Sequence, residues 1–296
     1  MISQSVSQMD YFHIGNSMLS VTLADASAAS IYDLNQIQRS DLLRPRPNDD
    51  APEQRYTFIY ERYDFNFAYQ YNLSDDCLLK FELPTSYHTL TKKTDTSYTV
   101  DNGTGTAQTV TERYNFVDVS RYRIEHITIG IDYRIWNKKS FVVLSTSILM
   151  PGSIENDINK SSNSDFLSNS FLEVLSGFYF GAKSNKYYYQ TGIFYNYRNR
   201  DLKSFFVIDL RATLSTIEGT WLGFNFKYLQ SLSSFRSAVP IDPQRTIVQE
   251  NKVQMGAFFR IDASKNIYGE FNYLVDLTGR NTLKIGVASV KLGYIF

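Results

Sequence analysis

The sequence predicts an all-β protein in the form of a closed antiparallel barrel, and three observations support this fold class. Apolar and polar residues alternate along most of the chain, which is the period of a strand and not of a helix. Short and long connections between these stretches also alternate, as they do around a barrel built from hairpins. The alternation continues to the last residue, Phe296, so pairing must hold a terminus that would otherwise fray.

The composition agrees with a single domain over residues 1–296, in which residues 1–8 form a short segment before the first strand. Tyr and Phe, 22 and 21 residues, dominate the aromatic content. We find no run that approaches the roughly 18 apolar residues of a membrane helix. The zero net charge implies no general attraction to nucleic acid, and the single cysteine, Cys77, allows no intrachain disulfide.

The alternation predicts about twelve strands, and the lengths of the links between them predict the topology. The links after the second, fourth, sixth, eighth and tenth strands are short, whereas those at 25–53, 93–111, 152–168 and 233–247 are long and polar. An even number of strands places both termini on the rim with the short turns. The predicted strands cover 9–24, 54–72, 76–92, 112–136, 139–151, 169–183, 186–199, 203–215, 219–232, 248–262, 265–277 and 281–296.

The faces of these strands allow two interpretations. A soluble sandwich or barrel would turn residues such as Phe65 and Phe224 inward, whereas a membrane barrel would turn them to lipid and Asn66 and Asn225 to a lumen. The polar side is rich in Gly, Asn, Gln and mixed charges, Tyr and Phe lie near strand ends, and the link lengths alternate. These features favour a transmembrane β-barrel in the outer membrane of a Gram-negative bacterium, with both termini periplasmic. The opening "MISQSVSQMDYF" has no basic or apolar region of a secretory signal, so we expect the chain to be a mature exported form.

Three longer segments carry a family resemblance. They are "YERYDFNFAYQYNLSDDCLLKFELPTSYH", "HITIGIDYRIWNKKSFVVLSTSILMPG" and "DLTGRNTLKIGVASVKLGYIF". Together they resemble the outer-membrane proteins of the MetA-pathway of phenol degradation group, which are loosely grouped with FadL-like transporters of hydrophobic compounds. The resemblance implies a transport barrel. The segment before the first strand is too short for the N-terminal hatch of FadL channels, so a hatch is not expected.

Charged residues on the predicted inward face are the candidate functional residues. If these residues pair with one another, they form a salt-bridge network that fills a narrow barrel. If they do not, they line a small pore in which Lys and Arg outnumber Asp and Glu, so that anions are favoured. We expect the acids to concentrate in loops and turns, and Arg134, Arg211 and Arg260 to form a constriction near the periplasmic rim. The candidate pore-lining residues are Arg62, Asp64, Lys80, Glu82, Asp132, Arg134, Glu173, Arg198, Asp209, Arg211, Lys227, Lys252, Arg260 and Glu270.

The sequence therefore predicts a narrow channel or transporter for small solutes, with a non-conducting barrel anchor or subunit of a larger surface assembly as the alternative. No catalytic set, metal site or cofactor site is expected, because His126 lacks a serine at the spacing of barrel phospholipases and His88 is expected at an interface or near a loop. Expected partners are outer-membrane lipid and lipopolysaccharide, the barrel assembly machinery through the strand that ends at Phe296, and proteins that bind the long loops.

Overall fold

The computed structural model describes residues 17–32, 36–44, 53–101, 107–124, 126–137, 140–152, 172–184, 186–198, 204–232, 251–280 and 282–296. Among these residues there is no helix of the length and hydropathy that a membrane span requires. The strands are β1 Ser17–Ala28, β2 Ile31–Tyr32, β3 Gln38–Arg39, β4 Asp41–Arg44, β5 Glu53–Ser74, β6 Cys77–Asp101, β7 Ala107–Ile124, β8 His126–Asn137, β9 Ser140–Pro151, β10 Glu173–Lys183, β11 Tyr187–Arg198, β12 Phe205–Ile217, β13 Thr220–Ser231, β14 Asn251–Asp262, β15 Ile267–Arg280, β16 Thr282–Leu283 and β17 Gly286–Ile295.

Twelve of these strands close into an antiparallel barrel, as the sequence predicts. Around the ring the order is β1, β17, β15, β14, β13, β12, β11, β10, β9, β8, β6 and β5, and β5 pairs again with β1. The predicted strand 112–136 corresponds to β7, which ends at Ile124, and β8, which begins at His126; position 125 lies outside the described residues. The short strands β16, β2 and β3 form a separate small sheet.

The two rims of the barrel differ. The links after β5, β8, β10, β12 and β14 are all short. They lie on one rim, because successive links of an antiparallel up-and-down barrel alternate between its two rims. On that same rim the backbones of Ser17 and Phe296 exchange two hydrogen bonds, of 3.1 and 3.0 Å. The first described residue and the last residue of the chain therefore lie together on the short-turn rim.

The outward face of the wall is apolar on strands all around the ring. Phe65 on β5, Phe206 on β12 and Phe224 on β13 are 44%, 43% and 37% exposed, and Ile129 on β8 and Phe271 on β15 are exposed as well. The side chains predicted to face outward therefore do so. Since a soluble monomer rarely exposes apolar patches beyond a few hundred Å², a continuous apolar belt of this kind is the surface expected of a barrel in lipid.

The predicted loop boundaries are wrong in two places. The segment 93–111 is mostly strand, because β6 runs to Asp101 and β7 begins at Ala107, and the predicted loop 25–53 contains β2, β3 and β4. The error at 93–111 has a physical cause: its polar residues are mostly threonines, whose β-branched side chains favour strands. The predicted strand residues 9–16, the loop residues 153–168 and the loop 233–247 lie outside the described residues.

Candidate functional site

The lumen brings together the inward faces of the twelve strands. Most of the predicted pore-lining residues are placed on this face by the alternation, and the side chain of Arg198 lies outside the described residues. Arg62, Glu82, Asp132, Glu173, Lys252, Arg260 and Glu270 are buried there. Asp64, Lys80, Arg134, Asp209, Arg211 and Lys227 are half-buried.

Two polar contacts join strands that are not neighbours in the wall. An Arg211 guanidinium nitrogen lies 2.5 Å from a Glu270 carboxylate oxygen, although β13 and β14 separate β12 from β15. The Asn225 Nδ2 donates to the side-chain Oδ1 of Asn272 at 2.8 Å, passing over β14. Since neighbouring strands are about 4.8 Å apart, these side chains must leave the wall and cross part of the lumen. We call these two contacts the crossbars.

An aromatic ring packs against the Arg211–Glu270 crossbar. The Arg211 guanidinium carbon lies 3.7 Å from the centre of the Phe258 ring. Phe258 is the register partner of Gly223, and a Cβ at Gly223 would overlap the ring. Because Gly223 has no side chain, Phe258 can lie close against the barrel wall. The Phe258 ring packs on one face of the Arg211 guanidinium, and the edge of the guanidinium remains available for hydrogen bonds.

A second ring next to the first has the same arrangement. The Arg260 guanidinium carbon lies 3.8 Å from the centre of the Tyr268 ring, and the Lys291 ammonium lies 5.4 Å from it. A Cβ at Gly293, the register partner of Tyr268, would overlap this ring. Two aromatic side chains that pack over glycines, Phe258 and Tyr268, thus lie against three cations in the lumen. The cations are Arg211, Arg260 and Lys291.

A further polar cluster lies on β6, β8 and β9. The Lys80 ammonium lies 2.5 Å from an Asp132 carboxylate oxygen and donates to the Ser145 hydroxyl at 3.1 Å. Glu82 is buried two residues beyond Lys80, accepts a hydrogen bond from Asn66 and interacts with the charges of Lys80 and Lys291. Through this cluster the polar lining of the lumen extends from β5 and β6 to β8 and β9.

Apolar residues also line part of the lumen, on β6 and on β9 to β13, which the sequence analysis missed. A contiguous buried cluster runs from Phe141, Tyr188 and Trp221 near the short turns to Phe205 and Leu229 at the other ends of β12 and β13. We call this cluster the apolar track. The alternation could not reveal it, because strands such as β9 carry apolar residues on both faces. Its full membership is Leu78, Phe141, Val143, Tyr179, Tyr188, Phe194, Phe205, Val207, Trp221 and Leu229.

The predicted arginine constriction is wrong. The Arg134 side chain bonds Asp76 in the β5–β6 turn at 3.0 Å, and Arg260 bonds Asp262 at 2.8 Å beside the β14–β15 turn. Arg211 lies deeper in the barrel, because it is the register partner of Asn225. Each arginine has a different carboxylate partner, so the three do not form one ring.

The expectation that acids stay in loops and turns is also wrong. Asp64, Asp132, Asp262 and Glu270 lie in strands and form ion pairs with inward cations, and only Asp76 among these partners is in a turn. The five pairs are neutral, one cation to one carboxylate. The sequence could not show this, because pairing depends on which strands the topology makes neighbours.

His88 lies within β6 and not next to a loop, so that part of the expectation is wrong. It is buried in the lumen, where its Nδ1 lies 2.9 Å from the Tyr60 hydroxyl and its Nε2 lies 2.5 Å from the Ser86 hydroxyl. These contacts engage both ring nitrogens and connect β5 to β6. Within the described residues, no group of three or more His, Cys, Asp or Glu side chains has an arrangement that could hold a metal ion.

Comparison with known proteins identifies the fold and not a family. No protein-family model matches the chain, and no curated protein matches it significantly by sequence. A crystal structure of an outer membrane channel from Pseudomonas putida F1 superposes with a TM-score of 0.59 at 11% identity, over 96% of both chains. The CymD monoaromatic hydrocarbon channel gives 0.47 at 8% identity over 97% of this chain and 90% of its own. The NalP translocator domain from Neisseria meningitidis gives 0.41 at 9% identity over 98% and 92%. At TM-scores below 0.5 the last two carry no argument.

Proposed function

We propose that this barrel is a narrow outer-membrane channel for small solutes. The observation that carries the proposal is the mixed lining of the lumen: the apolar track extends along β12 and β13 from one strand end to the other, beside polar side chains that the crossbars join across the lumen. Solutes with an apolar part and a polar part would find partners for both on the way through.

The size of the barrel limits the solute. Eight strands enclose a space that side chains just fill, and sixteen leave an open aqueous channel, so about twelve strands leave a narrow passage. The Pseudomonas putida protein with the same fold is described as an outer membrane channel, which supports the proposal. The neutral ion pairs remove the reason to propose a preference for anions. Membership of the MetA-pathway group stays a prediction.

The proposal fixes an orientation and a set of partners. The short-turn rim, with Ser17 and Phe296, would face the periplasm, and the long links would face outward. The apolar outer wall would contact lipid and lipopolysaccharide, and the strand that ends at Phe296 would be recognised by the barrel assembly machinery. Partner proteins would approach through the long links.

A non-conducting anchor or assembly subunit is the second candidate, and one observation favours it. Several inward side chains have no access to solvent, among them His126 and Asp132, both 0% exposed. Side chains packed so closely would close the passage unless the crossbars move.

Planar-bilayer recording separates the two candidates. The purified barrel, shown to be folded by heat-modifiable migration on a gel, should give small and discrete conductance steps. A folded barrel that gives no steps under any voltage would overturn the channel proposal and leave the anchor in its place.

A further inference from the structure

The Arg211–Glu270 crossbar has the features of a contact that a passing solute can open. Arg211 is half-buried, one face of its guanidinium is covered by Phe258, and its buried Nε has no hydrogen-bond partner. A donor without an acceptor inside a protein is unfavourable, so a further acceptor beside Arg211 would be stabilised. The edge of the guanidinium is therefore suited to a second carboxylate.

Glu270 does not depend on Arg211 alone. Its register partners on the two neighbouring strands are Arg260 on β14 and Lys291 on β17, both of which lie against the Tyr268 ring. If Arg211 turned towards a solute, these cations would still offset the Glu270 charge. Breaking the crossbar therefore leaves neither partner as an uncompensated buried charge, provided that the solute supplies a carboxylate.

The charge balance selects the class of solute. A lone anion that enters between Arg211 and Glu270 adds a negative charge next to Glu270, and a lone cation adds a positive charge next to Arg211. A zwitterion adds none, because its carboxylate can pair with Arg211 and its ammonium group with Glu270. Both ions of the crossbar then exchange one partner for another and remain paired.

The apolar track can contact a third part of the solute, an apolar ring. Arg211 is the register partner of Gln190 on β11, and Gln190 accepts a hydrogen bond from Tyr188, a member of the track. Val207, also in the track, is on the same inward face of β12 as Arg211. Arg211 thus lies where the apolar and polar sides of the lumen meet, so a solute held there by its charged groups can place a ring on the track.

From these contacts we infer that the solute is a small aromatic zwitterion of the amino-acid type, recognised by Arg211, Glu270 and the apolar track. The inference rests on the proposed channel function and names the chemical class that the channel accepts. Arg211 and Glu270 are then the specificity-determining residues.

Block of single-channel current by four probes tests this inference on the unmodified protein. The first probe is L-phenylalanine. Each of the other three lacks one of its groups: 3-phenylpropionate lacks the amine, phenethylamine lacks the carboxylate, and glycine lacks the ring. We expect saturable block by L-phenylalanine at a concentration at least about tenfold below that needed for each of the others, which corresponds to about 1.4 kcal/mol. Equal or tighter block by a singly charged probe or by glycine would overturn the inference while leaving the channel intact.

Two variants add a readout that a purely structural role would not give. Arg211→Gln removes the group that pairs with the solute carboxylate, so L-phenylalanine should lose its advantage over phenethylamine. Glu270→Gln removes the group that pairs with the ammonium, so L-phenylalanine should lose its advantage over 3-phenylpropionate. Lys265→Gln and Glu218→Gln make the same charge changes at exposed turn residues and should keep the wild-type order. Unchanged order in both crossbar variants would overturn the inference, and absence of current from folded wild-type barrel would overturn the proposed function itself.

Discussion

Ser17 and Phe296 exchange backbone hydrogen bonds at the short-turn rim, with the Ser17 amide donating to the Phe296 carbonyl at 3.1 Å and the Phe296 amide donating back at 3.0 Å. The register between β1 and β17 continues from there to Ser27 and Gly286. The last strand therefore has no free edge, and this explains why the apolar alternation extends to the end of the chain. The Phe296 ring points outward, 54% exposed, and stacks on Tyr294.

Replacing Phe296 with Asp should reduce the yield of assembled barrel. The change puts a charge on the outward face and removes the aromatic end of the strand that the assembly machinery would recognise. Heat-modifiable protein in outer membranes of cells under assembly stress is the measurement, and Phe296→Tyr is the control that keeps the aromatic ring. Equal yields of all three proteins would contradict this role of the terminus.

A charged residue on the outward face should cost far more than one on the inward face. Arginine at Phe65, Phe206 or Phe224 should lower the free energy of unfolding by about 2–4 kcal/mol if the site lies near the bilayer midplane. Arginine at Asn66 or Asn225, the inward neighbours, should cost much less, with about 1 kcal/mol for the lost Asn225–Asn272 hydrogen bond. Urea titration in lipid vesicles measures both. Similar losses on the two faces would show that the assignment of faces is wrong.

Gly223→Ala should destabilise the barrel and disturb the crossbar. The added Cβ overlaps the Phe258 ring, which must move and take the support of Arg211 with it, at a cost of about 1–3 kcal/mol. Gly269→Ala is the matched control, because a Cβ there would have its nearest neighbour, the Leu292 Cδ2, at an ordinary 3.6 Å. The same urea titration compares them, and a Gly223 variant as stable as the Gly269 variant would show that Phe258 is not held by the glycine.

The sequence predicted the barrel because hairpins are local: period-two alternation and tight turns determine each strand and its neighbour. It predicted the outward residues for the same reason. It could not predict the apolar track, since residues such as Phe194 and Val207 lie in strands that carry apolar residues on both faces. Nor could it predict the Arg211–Glu270 crossbar, whose residues are 59 positions apart and meet only after four strands, β12 to β15, have paired in register.

Opening the crossbar is the most direct test of the claim that solutes pass between the apolar track and the polar side of the lumen. The double variant Arg211→Ala/Glu270→Ala removes both charges of the crossbar at once, so that neither is left without the other. Its single-channel conductance should exceed that of the wild-type protein at least about twofold, because conductance follows the narrowest part of the path. Conductance equal to that of wild type, from barrels shown to be folded, would place the path elsewhere and contradict the account.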